Sequence, residues 1–404
     1  MPATATASSF TTRSASGTLG SPFTREKNKS PAVDEKLFPL AREAARQRED
    51  GNGSEPFAGI VSRHGERVPR SPLAPQTRNP MPFLNLALFL ATLLTTTMQG
   101  ALERHGYASM FPLQDGLSFS LPLMAILLCH EMGHYLAARW QHVPASLPYF
   151  VPLPPGVGMF GTMGAVILQS RTSDRRKLID IGAAGPLAGL AVAIPVLIYG
   201  LAISPVQPLV GVGVQEGNSI LYAILKRVLH GAWLPGGGSD VMLHPTAMAG
   251  WAGLLVTMLN LLPVGQLDGG HVAIAYFGNR YGRASRNLQN LLPLLALGVG
   301  VAVYLDAVAE LARLGGALSI SPVNIATAAG MPWLMWFVLL ALLRRLSGGI
   351  DHPPVDDRPL PASRVGLFWL VFVTFATIFM PVPLRASLGA ADDGHGREVR
   401  QSEP

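Results

Sequence analysis

The chain has 404 residues, of which 49% are hydrophobic and only 14% are charged. This composition excludes an ordinary soluble protein and indicates an integral membrane protein. The net charge of +6 is compatible with a nucleic-acid partner. However, the basic residues fall in the terminal segments and in short loops between apolar runs, which is the pattern that sets membrane orientation. We therefore expect contact with a lipid bilayer and none with nucleic acid.

Residues 1–80 are rich in Ser, Thr, Pro, Gly and Arg and contain no apolar run long enough to span a membrane. This composition predicts a mostly disordered segment with a short amphipathic helix at 33–50. No apolar signal core lies near the start, so we expect no cleavable secretory signal. The first thirty residues could also be interpreted as an organelle transit peptide. Because the segment after them is charged and unlike a cleavage junction, we favour a bacterial cytoplasmic membrane over an organelle membrane.

Seven apolar runs follow, each near the length that crosses about 30 Å of hydrocarbon. The number of Lys and Arg residues between runs alternates between high and low along most of the chain, which places the N-terminus in the cytoplasm. The sequence thus predicts an all-α membrane domain at 81–384 with about seven transmembrane helices, and a disordered tail at 385–404. The tail's own basic residues leave its orientation open. The runs cover residues 82–98, 118–138, 179–203, 245–263, 289–307, 329–345 and 365–382.

The apolar run within residues 116–140 contains His130, Glu131 and His134. Ionisable groups at membrane depth are costly, so their presence indicates a function. Positions four apart lie on one face of a helix, so both imidazoles can bind one ion. This is the H-E-x-x-H pattern, in which two His bind zinc and the Glu is the general base. A polar cluster that hydrogen-bonds between packed helices is the alternative. Cys129 is the single cysteine, so a cysteine-based zinc site is excluded.

A second unusual stretch, NLLPVGQLDGGH, lies at 260–271 and contains Asp268. An isolated Asp-Gly-Gly sequence usually forms a turn. In the predicted topology, however, the runs at 118–138 and 245–263 cross the membrane in the same direction, so this carboxylate and the two imidazoles fall in the same half. Catalytic zinc takes three protein ligands and keeps a fourth position for water. We therefore predict one zinc ion per chain, and we expect the two glycines after Asp268 to let backbone approach the site closely.

Residues 147–170 are apolar but interrupted by four prolines and several glycines, so they cannot form a continuous helix. A hairpin with a strand at 162–169 is one interpretation, and a structural re-entrant loop is an equally open alternative. An exposed strand edge could bind an extended peptide. On the first interpretation we expect Gly161, Thr162 and Gly164 to contact substrate.

HEMGH together with NLLPVGQLDGGH resembles the site-2 protease family of intramembrane zinc metalloproteases. Every fixed position of the family's second signature, Asn-x-x-Pro-x-x-x-Leu-Asp-Gly, is present. Three further stretches are similar to the branch that contains the plastid gravitropism-and-greening proteases and their bacterial relatives. The resemblance covers about residues 118–275. The further stretches are FGTMGAVI at 160–167, GAAGPLAGL at 182–190 and HPTAMAGWAGLLVTMLN at 244–260.

The resemblance implies regulated intramembrane proteolysis, the hydrolysis of peptide bonds in or near transmembrane segments of membrane protein substrates. In the family, two His and the motif Asp bind zinc, the Glu activates water, and the motif Asn is thought to help hold substrate. By position, these residues are His130, His134, Asp268, Glu131 and Asn260.

Residues 140–244 are too short and too apolar to contain the PDZ domain that many bacterial members carry. Within them, we expect residues 205–243 to form an outer loop with one short amphipathic helix at 219–230. HPP at 352–354 is similar to a stretch of some relatives, although a proline-rich surface loop explains it equally well. His271 could support the metal ligands from a second layer.

A non-proteolytic membrane metal-binding or chaperone-like protein remains the alternative function. A transporter would show internal repeats, and none is visible. The oligomeric state stays open.

Overall fold

The computed structural model describes residues 82–105, 113–313, 321–346 and 354–388. The predicted disorder of residues 1–80 and the predicted helix at 33–50 lie outside these residues. The described chain is mainly helical, as expected, with small two-stranded sheets at its periphery. Its helices are α1 (Pro82–His105), α2 (Leu113–Trp140), α3 (Arg175–Ala202), α4 (Ile220–His230), α5 (Pro245–Asn260), α6 (Asp268–Phe277), α7 (Tyr281–Arg313), α8 (Pro322–Leu346) and α9 (Ala362–Ile378). Its strands are β1 (Tyr149–Pro152), β2 (Thr162–Val166), β3 (Val206–Pro208), β4 (Val212–Glu216), β5 (Ser239–Val241) and β6 (Leu384–Leu388).

Five of the described helices, α1, α2, α3, α7 and α8, are long and apolar enough to cross a membrane. The prediction of seven spans is therefore not confirmed. The predicted runs at 245–263 and 365–382 form α5 and α9, which have only 16 and 17 residues. At about 1.5 Å per residue, such helices reach roughly 24–26 Å, less than the hydrocarbon thickness of about 30 Å. Most side chains of α5 are buried inside the protein. The high hydropathy of α5 is therefore explained by burial inside the protein as well as by contact with lipid.

Small residues allow α2, α3 and α5 to pack closely. A side chain at Gly133 of α2 would collide with the backbone carbonyl of Ala184 in α3. A side chain at Gly250 of α5 would collide with the backbone of Leu197, also in α3. Without a hydrophobic driving force in lipid, membrane helices associate by this kind of close packing. The central position of α3 between α2 and α5 fixes the geometry of the site described below.

The predicted hairpin at 147–170 is confirmed, with a shorter second strand than expected. Strands β1 and β2 pair antiparallel, and Phe150 lies opposite Ala165. The hairpin is attached to α1 at several points. Asn85 of α1 donates from Nδ2 to the carbonyl of Pro148 at 2.8 Å, and the Thr95 hydroxyl donates to a hairpin carbonyl, also at 2.8 Å. Helix α1 therefore holds the hairpin in place.

The expected short helix in the 205–243 loop is also confirmed. It is α4, and the hydroxyl of Ser219 caps its first turn by accepting from the backbone N–H of Tyr222. The same loop contains β3, β4 and β5, which were not predicted. Strand β4 pairs with β6, so residues 385–388 belong to a strand and the predicted tail at 385–404 begins too early. This pairing joins segments about 170 positions apart, so no local pattern reveals it.

Candidate metal centre

Helix α2 presents His130 and His134 on its face toward α3. The two residues are only 3% and 6% exposed. Two glycines of α3 lie directly against them. A methyl group at Gly185 would overlap the His134 imidazole, and one at Gly189 would come within 3.1 Å of Cβ of His130. The GAAGPLAGL stretch therefore provides the space that two imidazoles need between closely packed helices.

A backbone carbonyl of α3 sets the orientation of His134. Its Nδ1 lies 2.8 Å from the carbonyl oxygen of Ile181. Because a carbonyl can only accept, Nδ1 carries the proton and donates, which leaves Nε2 free to bind a metal. This contact could not be predicted from the sequence, because a backbone carbonyl acceptor carries no side-chain signal.

Asp268 is the first residue of α6, which begins after a seven-residue loop from the end of α5. The loop is tight because Gly269 lies against the backbone carbonyl of Leu261, and Gly270 lies against that of Gly265. A side chain at either glycine would collide with these carbonyls. From the sequence, the two glycines were expected to allow backbone to approach the metal. In the structure they allow the loop to fold back so that Asp268 reaches the two imidazoles.

The three side chains form a nearly equilateral triangle of ligand atoms. Nε2 of His130 lies 3.3 Å from Nε2 of His134 and 3.3 Å from Oδ2 of Asp268. The third edge, from Nε2 of His134 to Oδ2 of Asp268, measures 3.2 Å. Two ligand atoms about 2.05 Å from a tetrahedral zinc ion lie roughly 3.3 Å apart. Two imidazoles and a carboxylate also form a ligand set of catalytic zinc. The group could therefore hold one zinc ion.

Two other predicted site residues lie beside this triangle. Nδ2 of Asn260, at the end of α5, is 3.3 Å from Nε2 of His130. Glu131 follows His130 on α2 and is 7% exposed. The structure thus gathers residues from α2, α5 and α6 around a single point. His271 lies on the α3 side of α6, where a methyl group at Gly182 would come within 3.3 Å of its Cβ.

Two of the three predicted hairpin residues, Gly161 and Thr162, contact α1 and β1. The carbonyl of Gly161 accepts from the Thr95 hydroxyl, and the Thr162 hydroxyl donates to the carbonyl of Val151 at 2.9 Å. Gly164 has a φ of +94°, and nothing lies within 4 Å of the position that a Cβ would take. The backbone of β2 is therefore open at that residue. A substrate role for these residues stays a prediction.

In the described residues, a helical bundle with five helices long enough to span a membrane and a largely buried His–His–Asp group describes a membrane protein with a candidate metal centre. Residues 118–305 match peptidase family M50. These residues form a peptidase M50 domain, the domain of the site-2 proteases, as the two motifs implied. Zinc is the metal that this family and its named relatives imply. No solved structure matches the chain.

Several of the similar curated proteins are named as plant zinc metalloproteases. "Probable zinc metalloprotease EGY2, chloroplastic" of Oryza sativa subsp. indica is 32% identical over 247 residues, which are 59% of this chain and 44% of the relative. "Probable zinc metalloprotease EGY1, chloroplastic" of Arabidopsis thaliana is 35% identical over 190 residues, which are 45% of this chain and 34% of the relative. The chain thus spans less than half of the length of these relatives. Their names give no support to the expected bacterial membrane.

Proposed function

We propose that the chain is a zinc-dependent intramembrane endopeptidase that cleaves membrane proteins in or near their transmembrane segments, as a step in regulated intramembrane proteolysis. The observation that carries this proposal is the triangle of His130, His134 and Asp268 with Glu131 beside it. These residues lie between helices long enough to span a bilayer. The substrates would reach the site within the membrane.

Peptide hydrolysis needs a base for the attacking water and an acid for the leaving amine. Bound zinc supplies a Lewis acid that polarises a carbonyl and makes water more acidic. The carboxylate of Glu131 accepts a proton from the attacking water and returns it to the amine nitrogen as the C–N bond breaks. The side-chain amide of Asn260, at the edge of the ligand triangle, hydrogen-bonds the substrate backbone and orients the scissile carbonyl.

A transmembrane helix hides its carbonyls in internal hydrogen bonds, so a substrate must unwind locally before cleavage. Among the described residues, strand β2 belongs to a two-stranded sheet and pairs with β1 alone. Its other edge carries backbone groups that an unwound substrate can pair with. The side chains of Met163 and Val166 on this strand are 67% and 52% exposed. Open space at Gly164 would allow substrate backbone to approach closely.

The names of the relatives favour an organelle membrane over a bacterial cytoplasmic membrane for this chain. This assignment replaces the expectation from the sequence. Fractionation of source cells, followed by detection of the chain with an antibody, tests it. Recovery in the organelle membrane fraction supports the assignment, and recovery in a bacterial cytoplasmic membrane contradicts it.

The experiment that tests the activity is cleavage of a model transmembrane substrate in detergent by the purified chain. Wild type is compared with Glu131→Gln, each with and without a chelator, and zinc is quantified in both. A matched control is Glu310→Gln, because Glu310 lies on α7 and pairs with Arg313 rather than with the site. We expect cleavage to fall by about 10²–10⁴-fold in Glu131→Gln while zinc stays bound. Glu310→Gln should cleave like wild type.

Full activity of Glu131→Gln would contradict the proposed role of this carboxylate. Zinc binding without cleavage by wild type, on several substrates, would favour the alternative of a non-proteolytic metal-binding or chaperone-like protein of the same fold. Absence of zinc from wild type would contradict the metal site itself.

A further inference from the structure

Arg175, the first residue of α3, binds the far end of α6. Its Nε donates to the carbonyl of Ala275 at 2.6 Å, and its Nη2 donates to the carbonyl of Tyr276 at 2.5 Å. Both acceptors lie in the last turn of α6, where helix carbonyls have no partner within the helix. A guanidinium at a helix C-terminus also interacts favourably with the helix dipole. One side chain therefore caps this helix with two parallel hydrogen bonds.

The same short helix begins with the metal-binding carboxylate. Helix α6 has ten residues, from Asp268 to Phe277, so it is a rod about 15 Å long. A tilt at its C-terminal end would shift Asp268 at the other end. The side chains of the triangle meet within 3.3 Å, so a small shift is enough to disturb their geometry. The capping of α6 and the position of Asp268 are thus mechanically linked.

Helix α3 supports two of the three ligands in the triangle. The carbonyl of Ile181 orients His134, and Arg175, six positions earlier, holds the helix that carries Asp268. Metal affinity depends strongly on such supporting contacts, because the ligands must be held at the correct mutual distances. Because both supports come from one helix, they maintain the distance between the two ligands.

The third nitrogen of the guanidinium binds the segment 355–360, which follows the HPP sequence. Nη1 of Arg175 donates to the carbonyl of Arg358 at 3.1 Å. The segment is itself fixed, because Asn279 donates to the carbonyl of Val355 at 2.9 Å and accepts from its N–H at 2.8 Å. The N–H of Asp356 also donates to the carbonyl of Ser173 at 2.8 Å. The guanidinium is therefore held in one orientation by three backbone acceptors.

We propose that Arg175 is a positioning residue for the metal centre, and that its guanidinium holds α6 at the angle at which Asp268 meets His130 and His134. The inference rests on the metal site of the proposed function, but not on proteolytic activity. It also gives a role to the segment after HPP, which supports the guanidinium from its outer side.

The test compares Arg175→Gln and Arg175→Lys with Arg176→Gln. Arg176 is the next residue of α3 and is exposed, so it is a control for the loss of one charge at the same helix end. Zinc affinity is measured by competition with a chelator, and the ligand geometry by the visible absorption spectrum of the Co²⁺-substituted protein. Melting temperature without metal and the kinetic constants kcat and KM are measured on the same samples.

We expect Arg175→Gln to bind zinc about ten-fold or more weakly than wild type. The Co²⁺ spectrum should change, and kcat should fall with little change in KM. Arg175→Lys keeps the charge but loses the two-pronged contact, so its zinc affinity should be intermediate. Arg176→Gln should match wild type in every measurement.

Wild-type zinc affinity and an unchanged Co²⁺ spectrum in Arg175→Gln would overturn the inference, and so would an equal loss in Arg176→Gln. If Arg175→Gln does not fold, the same criteria apply to Arg175→Lys. If wild type binds zinc but does not cleave, the proposed function fails while the zinc and Co²⁺ measurements still decide this inference. If wild type binds no zinc, both fail.

Discussion

The described residues include two largely buried groups of ionisable side chains, and the two groups are built in different ways. The metal centre brings together two imidazoles and a carboxylate, and its three ligand atoms face one another at 3.2–3.3 Å. The other group, here called the Lys226 cluster, consists of Gln215, Glu216, Tyr222, Lys226 and Asp240. It contains its own cation among its carboxylates.

The charged groups of the Lys226 cluster pair with one another, because one lysine lies between two carboxylates. Nζ of Lys226 lies 2.8 Å from Oε1 of Glu216 and 3.2 Å from Oδ1 of Asp240, and the lysine is 0% exposed. The Tyr222 hydroxyl donates to Glu216 at 2.9 Å, and Gln215 donates to Asp240 at 2.8 Å. Burial and the neighbouring carboxylate raise the pKa of Tyr222 well above its usual value, so it remains a donor. The cluster joins α4, β4 and β5 outside the spanning helices.

The comparison distinguishes a polar cluster that stabilises the fold from a polar group that is suited to bind a metal ion. In the Lys226 cluster, each buried charge lies beside an opposite charge from the chain, so the cluster maintains a fold. In the metal centre, glycines and a backbone carbonyl of α3 hold ligand atoms toward a common point, so the group suits a cation from outside the chain. Burial alone does not distinguish the two clusters, but the direction of the ligand atoms does.

The largest expected change in folding stability is that of Lys226→Met. It leaves two buried carboxylates without their cation, so we expect a loss of about 3–5 kcal/mol in the free energy of unfolding. Chemical denaturation in detergent measures this loss, and zinc is quantified in the folded fraction. We expect no change in zinc per folded chain. The exposed Arg283→Met is the control and should change stability by less than about 0.5 kcal/mol. A stable Lys226→Met protein would show that the cluster contributes little.

Asp268→Ala should have the opposite pattern of effects, with a large loss of zinc affinity and a small change in folding stability. Four ligands share a binding free energy of about 10–16 kcal/mol in structural zinc sites, so the loss of one ligand should weaken zinc binding at least about 100-fold. The stability of the metal-free protein should change much less. Competition with a chelator measures the affinity. Asp306→Ala is the matched control, because Asp306 lies on α7 and is mostly exposed. Unchanged zinc stoichiometry and affinity in Asp268→Ala would remove this residue from the ligand set.

Gly185→Ala tests the packing that the metal centre requires. The added methyl group overlaps the His134 imidazole, so we expect a loss of about 1–3 kcal/mol in stability and weaker zinc binding. Gly282→Ala, at a helical glycine with open space around it, should be neutral or slightly stabilising. Thermal unfolding and zinc titration of both variants measure the difference. Equal behaviour of the two variants would contradict the close packing of α2 and α3.

The smallest expected change is that of Tyr222→Phe, which removes one hydrogen bond from the Lys226 cluster. We expect a loss of about 0.5–1.5 kcal/mol, because Glu216 keeps its ion pair with Lys226. Because the pKa of Tyr222 is raised in the folded protein, the hydroxyl keeps its proton there. The difference between wild type and variant should therefore be constant between about pH 7 and 9, below the usual tyrosine pKa of about 10. A difference that shrinks over this range would indicate that the hydroxyl titrates.

The sequence predicts those parts of the fold and the site that depend on local patterns. The four-residue spacing of His130 and His134 places both on one helix face, and the structure brings their Nε2 atoms within 3.3 Å. The hairpin and α4 follow from proline positions and amphipathic spacing. The number of membrane-spanning helices could not be predicted in the same way. Hydropathy does not distinguish a short helix buried in protein, such as α5, from a helix in lipid.

The remaining contacts of the site use backbone atoms or distant segments. The carbonyl of Ile181, which orients His134, and the carbonyls that bind Arg175 have no sequence signature. The pairing of β4 with β6 joins positions about 170 residues apart. The Lys226 cluster lies in a loop to which the sequence analysis assigned no chemistry, and its charges are interpretable only once the fold brings them together.

The measurement that tests the central claim most directly is X-ray absorption at the zinc edge of the purified wild-type chain. The ligand triangle predicts one zinc ion per chain with nitrogen and oxygen ligands at about 2.0–2.2 Å, including the outer-shell signal of two imidazoles. Asp268→Ala should lose one of these ligands or the metal. A sulfur ligand at about 2.3 Å, a single imidazole, or a chain that binds no zinc would contradict the site described here.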